Sequence, residues 1–245
     1  MKVNVLGYYG GYPYNGHGTS AYLVSEDDYN LLLDCGSGAL LSLEKVIEPL
    51  QLDSVLLTHY HQDHIADVGV LQYYYQLKSG LKKHDPLMIY GHQEDEENFK
   101  NLTFSNFTKG VAFDPTKRLD LGPFEITFCR TIHPVVAFAV RIKSKVTGKV
   151  LTYTADSRYF KELTDFVKDS DLLIADTNFA ADKNGDLWHM TSTQSADLAR
   201  DGQVKKLLLS HLPQEISHEQ ILKEAKEEAP KINILLASKI KEIEV

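Results

Sequence analysis

Three histidines and an aspartate lie within the run Thr58–His64, directly after the apolar segment Ser54–Leu57; they are His59, His61, Asp63 and His64. Imidazole nitrogen and carboxylate oxygen are ligands that Zn²⁺ takes readily in proteins. Two neighbouring cations can bridge and ionise a water near neutral pH, which supplies hydroxide for attack on an ester-like bond. The run therefore predicts a two-metal hydrolase.

The spacing within this run suggests how its donors divide between two metals. In extended chain, residues two apart face the same side, so His59 and His61 can aim at one metal. Asp63 and His64 follow as the chain turns into the next helix, so we expect them at a second position. Because a catalytic metal usually takes about three protein ligands plus water, further ligands must come from elsewhere in the chain.

Further candidate ligands follow other apolar, strand-like segments. His133 follows Phe128–Ile132, Asp156 follows Leu151–Ala155, and His211 follows Leu207–Ser210. Strand ends are rigid and hold ligands to a tight geometry. A carboxylate such as Asp156 can give one oxygen to each of two metals.

Short β-rich runs alternate with helical patterns, and no linker or internal repeat interrupts them. The predicted strands are Lys2–Leu6, Ser20–Val24, Tyr29–Asp34, Ser54–Thr58, Pro86–Tyr90, Phe124–Ile132, Ala137–Ile142, Val150–Thr154, Leu172–Ala175 and Lys206–Ser210. The predicted helices are Ala39–Leu50, Asp67–Leu77, Glu94–Asn101, Ser192–Arg200 and Glu219–Glu228. Two β-rich halves with helices outside indicate a layered α/β sandwich, and we expect one domain over residues 1–245.

Composition sets the broad class of the protein. With 245 residues, of which 43% are hydrophobic, the chain is long enough for a large core. The chain contains no apolar stretch of about 18 residues, so no membrane span is predicted. The N-terminus lacks a signal-peptide pattern, and we therefore expect a cytoplasmic protein. The net charge of −8 argues against indiscriminate nucleic-acid binding. Cys35 and Cys129 are predicted to be free thiols.

The ordered ligand candidates resemble the full ligand set of the metallo-β-lactamase superfamily, and Asp34 within Leu32–Gly36 is similar to its earlier strand-Asp-x-Gly motif. The resemblance implies an αββα sandwich of two mixed β-sheets with metals at their open edge. It implies two Zn²⁺ per chain, with Mn²⁺ as the alternative. It assigns His59, His61 and His133 to the first metal. It assigns Asp63, His64 and His211 to the second metal, and Asp156 to the bridge.

Within the superfamily the chain resembles the RNase Z-like phosphodiesterase branch. Asp171–Phe179 is similar to its His-Glu-Ala-Thr motif, and Trp188–Ser192 to its Gly-His-Ser/Met-Thr motif. Two departures separate the chain from tRNA-processing enzymes. Ala175 stands where those enzymes carry His, and the interval from His133 to Asp156 is too short for the substrate-gripping arm of bacterial tRNA 3′-endonucleases. Both departures favour small phosphodiester substrates.

The resemblance also implies roles beyond metal ligation. Asp63 is expected to hold the proton of the attacking hydroxide, and His189 to protonate the departing oxygen or bind the substrate phosphate. The alternative for His189 is a histidine that merely precedes a capped helix. Asp34 and Asp176 are expected to orient a histidine through its other ring nitrogen, or else to be simple turn residues. His17 is predicted in an exposed loop, and His84, His92 and His218 on the surface.

The predicted function is thus a two-metal phosphodiesterase that acts on small-molecule or nucleotide-type phosphodiesters. A lactone or thioester hydrolase and a tRNA 3′-processing endonuclease remain alternatives, with RNA as a further partner. A diiron redox protein is a weaker hypothesis, because such relatives use His-x-Glu-x-Asp and His61 stands at the Glu position. A non-catalytic, metal-dependent binding module is the last alternative hypothesis. No membrane partner is expected, and homodimerisation is expected because it is common in the related family.

Overall fold

Two mixed β-sheets form the centre of the computed structural model, which describes all residues from 1 to 245. The strands in the first half of the chain are β1 (Lys2–Tyr9), β2 (Gly18–Thr19), β3 (Ala21–Glu26), β4 (Tyr29–Leu33), β5 (Ser54–Leu56), β6 (Leu87–Gly91) and β7 (Thr108–Ala112). The strands in the second half are β8 (Leu119–Leu121), β9 (Phe124–Arg130), β10 (Phe138–Ser144), β11 (Val150–Tyr153), β12 (Leu172–Asp176), β13 (Lys206–Ser210), β14 (Asn233–Leu236) and β15 (Glu242–Glu244).

The helices connect these strands on the outside of the two sheets. They are α1 (Ala39–Leu43), α2 (Gln62–Ile65), α3 (Val68–Leu77), α4 (Glu96–Lys100), α5 (Lys161–Val167), α6 (Ser192–Asp201) and α7 (His218–Glu228), with short 3₁₀ turns at Pro49–Gln51 and Ala237–Lys239. None of these helices has both the length and the apolar character needed to pass through a lipid bilayer.

Each sheet has an antiparallel half and a parallel half. The first sheet has the order β15-β1-β3-β4-β5-β6-β7, with β2 beside β1, and the second has the order β14-β13-β12-β11-β10-β9-β8. Strands β4 to β7 run parallel to one another, and so do strands β11 to β14. Parallel strands end at the same edge, so the loops that follow them are neighbours in space.

The alternation of side chains along β4 shows how the layers are held together. Leu31 and Leu33 belong to a cluster of 43 buried residues that contains the contact between the sheets. Leu32 points the other way, into a separate cluster of 19 buried residues that includes apolar residues of α1 and α3. Because successive strand residues face opposite sides, the first sheet is buried on both faces.

The second sheet is covered by α5, α6 and α7. Leu163, Ala196 and Ala225, one from each helix, are fully buried in the larger cluster together with the strands of that sheet. The rings of Tyr22 and Tyr153, from β3 and β11, meet between the sheets with centroids 5.2 Å apart. The predicted sandwich of two mixed sheets with helices outside is therefore confirmed.

The structure corrects several of the predicted elements. The helix predicted over Ala39–Leu50 begins at Ala39 as expected, but the predicted end is wrong, since α1 ends at Leu43. Pro49 restricts the residue before it to extended backbone, and Glu48 has φ −67° and ψ 121°. Strands β2, β7, β8, β14 and β15 were not predicted, because segments of two to five residues carry little alternation of apolar side chains. That residues 1–245 form one domain stays a prediction.

We predict that Leu208→Ala lowers the free energy of unfolding by about 2–5 kcal/mol, because a large cavity would remain in the middle of the parallel strands. Leu208 lies in β13 and is 0% exposed. The measurement is denaturant unfolding followed by circular dichroism.

Leu81→Ala is the matched control, because Leu81 is 88% exposed. It should change the free energy of unfolding by less than about 0.5 kcal/mol. Equal effects from both substitutions would contradict the described packing.

Candidate metal centre

The predicted ligands lie at one edge of the sandwich, where parallel strands of both sheets end. Asp34 follows β4, and His59 comes three residues after β5 ends at Leu56. In the second sheet, Asp156 follows β11 and His211 follows β13. Since strands in register end at the same edge, residues distant in the chain converge there without any long loop.

Sharp turns at these strand ends place the side chains over the edge. Asp34, Ala155 and His211 have positive φ angles of 56°, 51° and 52°. This left-handed backbone is uncommon for residues other than glycine and persists only where the surrounding structure enforces it. Three such residues at one edge indicate that the chain accepts local strain in order to position this site.

Four residues form the first group of donors, as the resemblance implied for the first metal. His59, His61, His133 and Asp156 each offer one atom, and these atoms lie within 4.8 Å of one another. His133 Nε2 is 3.0 Å from His61 Nδ1, and Asp156 Oδ2 is 3.5 Å from His59 Nε2. The spacing of His59 and His61 places both in this group, although they lie in extended loop rather than in strand.

Four residues also form the second group, and Asp156 belongs to both. Asp63, His64, Asp156 and His211 offer atoms within 4.8 Å of one another. Asp156 Oδ1 is 3.1 Å from His64 Nε2 and 3.2 Å from His211 Nδ1. One oxygen of Asp156 thus faces each group, which is the arrangement that a bridging carboxylate needs.

Buried polar atoms without hydrogen-bond partners show that the groups fit divalent cations. His59 Nε2, His64 Nε2 and Asp156 Oδ1 are buried and make no hydrogen bond. An unsatisfied buried polar atom costs about 1–3 kcal/mol, so several of them at one point would be strongly destabilising without a ligand. Imidazole nitrogen and carboxylate oxygen suit Zn²⁺ and also Mn²⁺. Occupation by a metal stays a prediction.

The protonation states of the first group favour metal binding. Burial lowers the pKa of His59 to about 4 and that of His133 to about 3. Burial also lowers the pKa of His61. These rings are therefore neutral at pH 7 and have a lone pair available, as a metal ligand requires.

His64 behaves differently because carboxylates surround it. Burial alone would lower its pKa, but the negative charges of Asp156, Asp34 and Asp63 raise it well above the usual value. In the absence of a metal, the second group thus attracts a positive charge in the form of a proton. A cation bound there would take the place of that proton, so binding releases it.

Asp34 and Thr58 fix the orientation of two of the predicted ligand histidines. Asp34 Oδ2 accepts from His64 Nδ1 at 2.7 Å, and Asp34 Oδ1 accepts from Thr58 N at 2.8 Å. Thr58 Oγ1 lies 2.9 Å from Asp34 Oδ2 and 3.1 Å from His59 Nδ1. Because the hydroxyl has one proton and the carboxylate can only accept, the hydroxyl donates to Asp34 and accepts from His59. His59 thus presents Nε2 as a lone pair to the centre, and His64 would do the same once a cation has displaced its proton.

A backbone amide holds Asp63. Gly11 N donates to Asp63 Oδ2 at 2.7 Å, and the loop of Gly11 is tied by Gln214 Nε2, which donates to the carbonyl of Tyr12 at 2.7 Å. Burial alone would raise the pKa of Asp63, but His64, His211 and the amide of Gly11 lower it. The carboxylate is therefore ionised near neutral pH.

Asp176 and His189 form a pair beside the second group. His189 Nδ1 donates to Asp176 Oδ2 at 2.8 Å, and Ser157 N donates to the same oxygen at 3.0 Å. Burial alone would lower the pKa of His189, but the Asp176 carboxylate raises it to about 9. The ring stacks on His211 with centroids 5.0 Å apart. Asp176 thus orients His189 rather than one of the seven predicted ligands.

The donors open into a cleft of about 410 Å³. Its floor contains predicted ligands, and its walls come largely from the segment between β12 and α6, including Phe179, Lys183, Leu187 and Trp188. The start of α6 is fixed by a capping box, in which Thr191 and Gln194 each accept from the other's backbone N–H. The segment that carries His189 is therefore anchored immediately after it.

The remaining histidines lie outside the two groups. His17 stays in a loop whose backbone pairs with Tyr14, and His84 Nε2 donates to Asp53 at 2.9 Å. The surface position predicted for His92 is wrong. His92 is 2% exposed and packs against the ring of Tyr60 with centroids 4.5 Å apart. Charged neighbours in sequence misled that prediction, because His92 follows directly on the buried strand β6.

The sequence comparisons agree with this geometry. A family profile described as a β-lactamase superfamily domain matches residues 29–212. The "Probable metallo-hydrolase YhfI" of Bacillus subtilis (strain 168) is 46% identical over 92% of this chain and 93% of its own length. Ribonuclease Z of Methanosarcina acetivorans is 24% identical over 100% of this chain and 98% of its own.

The comparison with solved structures shows the same fold. The crystal structure of the metallo-β-lactamase fold protein YhfI from Bacillus subtilis has a TM-score of 0.90 and 43% identity, and covers 96% of this chain and 95% of that one. A diphosphatase from the PhnP family has a TM-score of 0.75 at 17% identity, with coverage of 100% and 97%. At that identity the likeness shows the fold alone.

We predict that Asp34→Asn weakens zinc binding about 10- to 100-fold, because an amide no longer provides the negative partner of His64. Competition with a chromophoric chelator measures the affinity. His17→Ala serves as the control and should bind zinc as the wild type does. Unchanged affinity in Asp34→Asn would show that the Asp34–His64 contact does not support a metal site.

Proposed function

Because the chain belongs to the metallo-β-lactamase superfamily, in its RNase Z-like branch, we propose that it is a two-metal phosphodiesterase of small or nucleotide-type substrates. The observation that carries this proposal is the pair of donor groups that share Asp156. The proposed cofactors are two zinc ions, with manganese as the alternative. The names of the relatives, a probable metallo-hydrolase and a ribonuclease Z, support a hydrolytic reaction.

Divalent cations held by such donors would lower the pKa of a bound water to about 7. They would also neutralise the charge that develops on the phosphoryl oxygens. In the proposal, the five histidines, Asp63 and Asp156 would hold the cations at the floor of the cleft. Trp188 lines this cleft and is 47% exposed, so in the proposal the substrate enters beside it.

Asp63 is proposed to accept the proton of the attacking water. Its carboxylate is ionised, borders the cleft, and is fixed at Oδ2 by the amide of Gly11. A base must be held within hydrogen-bond reach of the proton that it takes, and this contact restricts the carboxylate to one orientation.

His189 is proposed to give a proton to the departing oxygen. It lines the cleft, and the negative charge of Asp176 keeps it protonated at neutral pH. Because Nδ1 is occupied by Asp176, Nε2 is the nitrogen available to the substrate. An alkoxide leaves poorly without a proton, so this residue suits the hydrolysis of nucleoside and alkyl esters.

Two features favour small substrates over tRNA. The interval from His133 to Asp156 contains only β10, β11 and short turns, which provide no projecting arm. Ala175 is fully buried in β12 and offers no functional group where tRNA-processing enzymes carry His. The homodimer and the cytoplasmic location stay predictions.

We predict that Asp156→Ala and His61→Ala each abolish turnover of bis(p-nitrophenyl) phosphate by the zinc- or manganese-loaded enzyme, because each removes a donor from the centre. His17→Ala should keep wild-type turnover. Undiminished turnover in both ligand variants would contradict the proposal. Hydrolysis of acyl-homoserine lactones in place of the phosphodiester would favour the lactonase alternative.

We predict that His189→Ala slows hydrolysis of dithymidylate, which has a poor leaving group, by about 10²- to 10⁴-fold in kcat. Its effect on bis(p-nitrophenyl) phosphate should be much smaller, because p-nitrophenolate departs without a proton. Steady-state kinetics on both substrates measure the difference. An equal loss on both would show that His189 does not protonate the leaving group.

A further inference from the structure

We propose that the mouth of the cleft is a nucleoside subsite made by Trp188, Phe179 and Lys183, and that the substrate is a phosphodiester with a nucleoside on at least one ester. This inference rests on the proposed phosphodiesterase function. We call these three residues the aromatic rim.

The exposed position of Trp188 beside the cleft is the main support for the subsite. Trp188 is the only tryptophan of the chain, it lines the cleft, and it is 47% exposed. Large aromatic side chains gain substantial free energy when they are covered, so an indole left half in solvent beside a reactive centre is a typical anchor for a ligand.

The backbone around Trp188 is held rigidly against the predicted metal site. Its carbonyl oxygen accepts from His133 Nδ1 at 3.4 Å, and the next residue is His189, which Asp176 fixes. The backbone of Trp188 is therefore tied to two residues of the site, which limits how far the indole can lie from the reacting phosphate. A preformed aromatic surface of this kind costs little entropy on binding.

Phe179 and Lys183 form the other part of the rim. Phe179 lines the cleft, with its ring centroid 6.0 Å from that of His189. Lys183 Nζ lies 5.4 Å from the centre of the Phe179 ring, and no carboxylate lies within 4.0 Å of it. Among the 13 residues that line the cleft, Lys183 is the only lysine or arginine. Asp186 also lines the cleft, but its carboxylate is fully exposed and 3.9 Å from Arg158.

This combination of side chains matches the chemistry of a nucleotide. Aromatic faces stack on any nucleobase, and a free ammonium attracts phosphate. A simple alkyl ester would leave Trp188 uncovered. An acyl chain has no charged group that could pair with the ammonium of Lys183. The cleft volume of about 410 Å³ lies within the range of small-molecule sites, which is about 300–1,000 Å³. A mononucleotide-sized ester therefore fits better than a polymer.

The first test compares two substrates with the same leaving group, the p-nitrophenyl ester of thymidine 5′-monophosphate and methyl p-nitrophenyl phosphate. The metal-loaded wild type should prefer the nucleoside ester in kcat/KM by about tenfold or more. Trp188→Leu should reduce this preference by about tenfold, and Trp188→Phe should restore most of it.

Tyr73→Leu is the matched control, since Tyr73 is a similarly exposed aromatic residue (57%) on α3, outside the cleft. It should leave the preference unchanged. An equal kcat/KM for both substrates in the wild type, or the wild-type preference in Trp188→Leu, would overturn the subsite while leaving the phosphodiesterase function intact. Failure of the wild type to hydrolyse either substrate would overturn the proposed function itself.

The second test does not depend on turnover. Because Trp188 is the only tryptophan, its fluorescence reports directly on the rim. Thymidine 5′-monophosphate added to the zinc-loaded protein should quench this fluorescence in a saturable manner, whereas inorganic phosphate at the same concentration should not. Equal responses to the nucleotide and to phosphate would overturn the subsite.

Discussion

The carboxylate of Asp156 is the interaction on which the rest of the site depends. It is 1% exposed, and its two oxygens face different groups of histidines. A buried carboxylate is costly unless positive charge and hydrogen bonds surround it. Burial alone would raise the pKa of Asp156, but the neighbouring His211, His64 and His59 lower it well below its usual range, so the carboxylate stays ionised and available to a cation. The arrangement therefore favours the entry of cations, and the fold supplies strand ends from both sheets to surround this one residue.

Hydrogen bonds around the predicted ligands fix the geometry of the site. Asp34 and Thr58 determine which nitrogen of His59 and His64 faces inward, and Gly11 fixes Asp63. These contacts come from loops that follow β4, β5 and β1 in the same sheet. The positive φ angles of Asp34 and His211 place local strain at the same edge. Strain and function thus coincide, because the strand ends are shaped for the site rather than for the lowest backbone energy.

Much of the site could be predicted from the sequence because its chemistry is local. The run Thr58–His64 concentrates four donors, and His133, Asp156 and His211 each follow a recognisable apolar segment. Other features depend on tertiary contacts. The amide of Gly11 reaches Asp63 across 52 positions of the chain, so only a weak signal, the paired glycines after β1, points to it. The exposure of Trp188 likewise depends on how the segment before α6 lies over the cleft.

The parts of the fold that have a clear local sequence pattern could also be predicted, and the parts that depend on tertiary contacts could not. Buried strands such as β12 and β13 carry continuous apolar residues, whereas β8 and β15 have three residues each and gain their stability from the neighbouring strand. The end of α1 at Leu43 depends on a turn that the helical pattern of Ala39–Leu50 conceals. Short edge strands and helix ends depend on contacts with neighbouring elements, and the periodicity of apolar residues does not reveal those contacts.

Anomalous X-ray diffraction from crystals grown with zinc measures most directly whether Asp156 bridges two cations. We predict two anomalous peaks, one within each donor group, with one oxygen of Asp156 directed to each. A single peak away from Asp156, or no peak at saturating zinc with the seven side chains in their present positions, would contradict it.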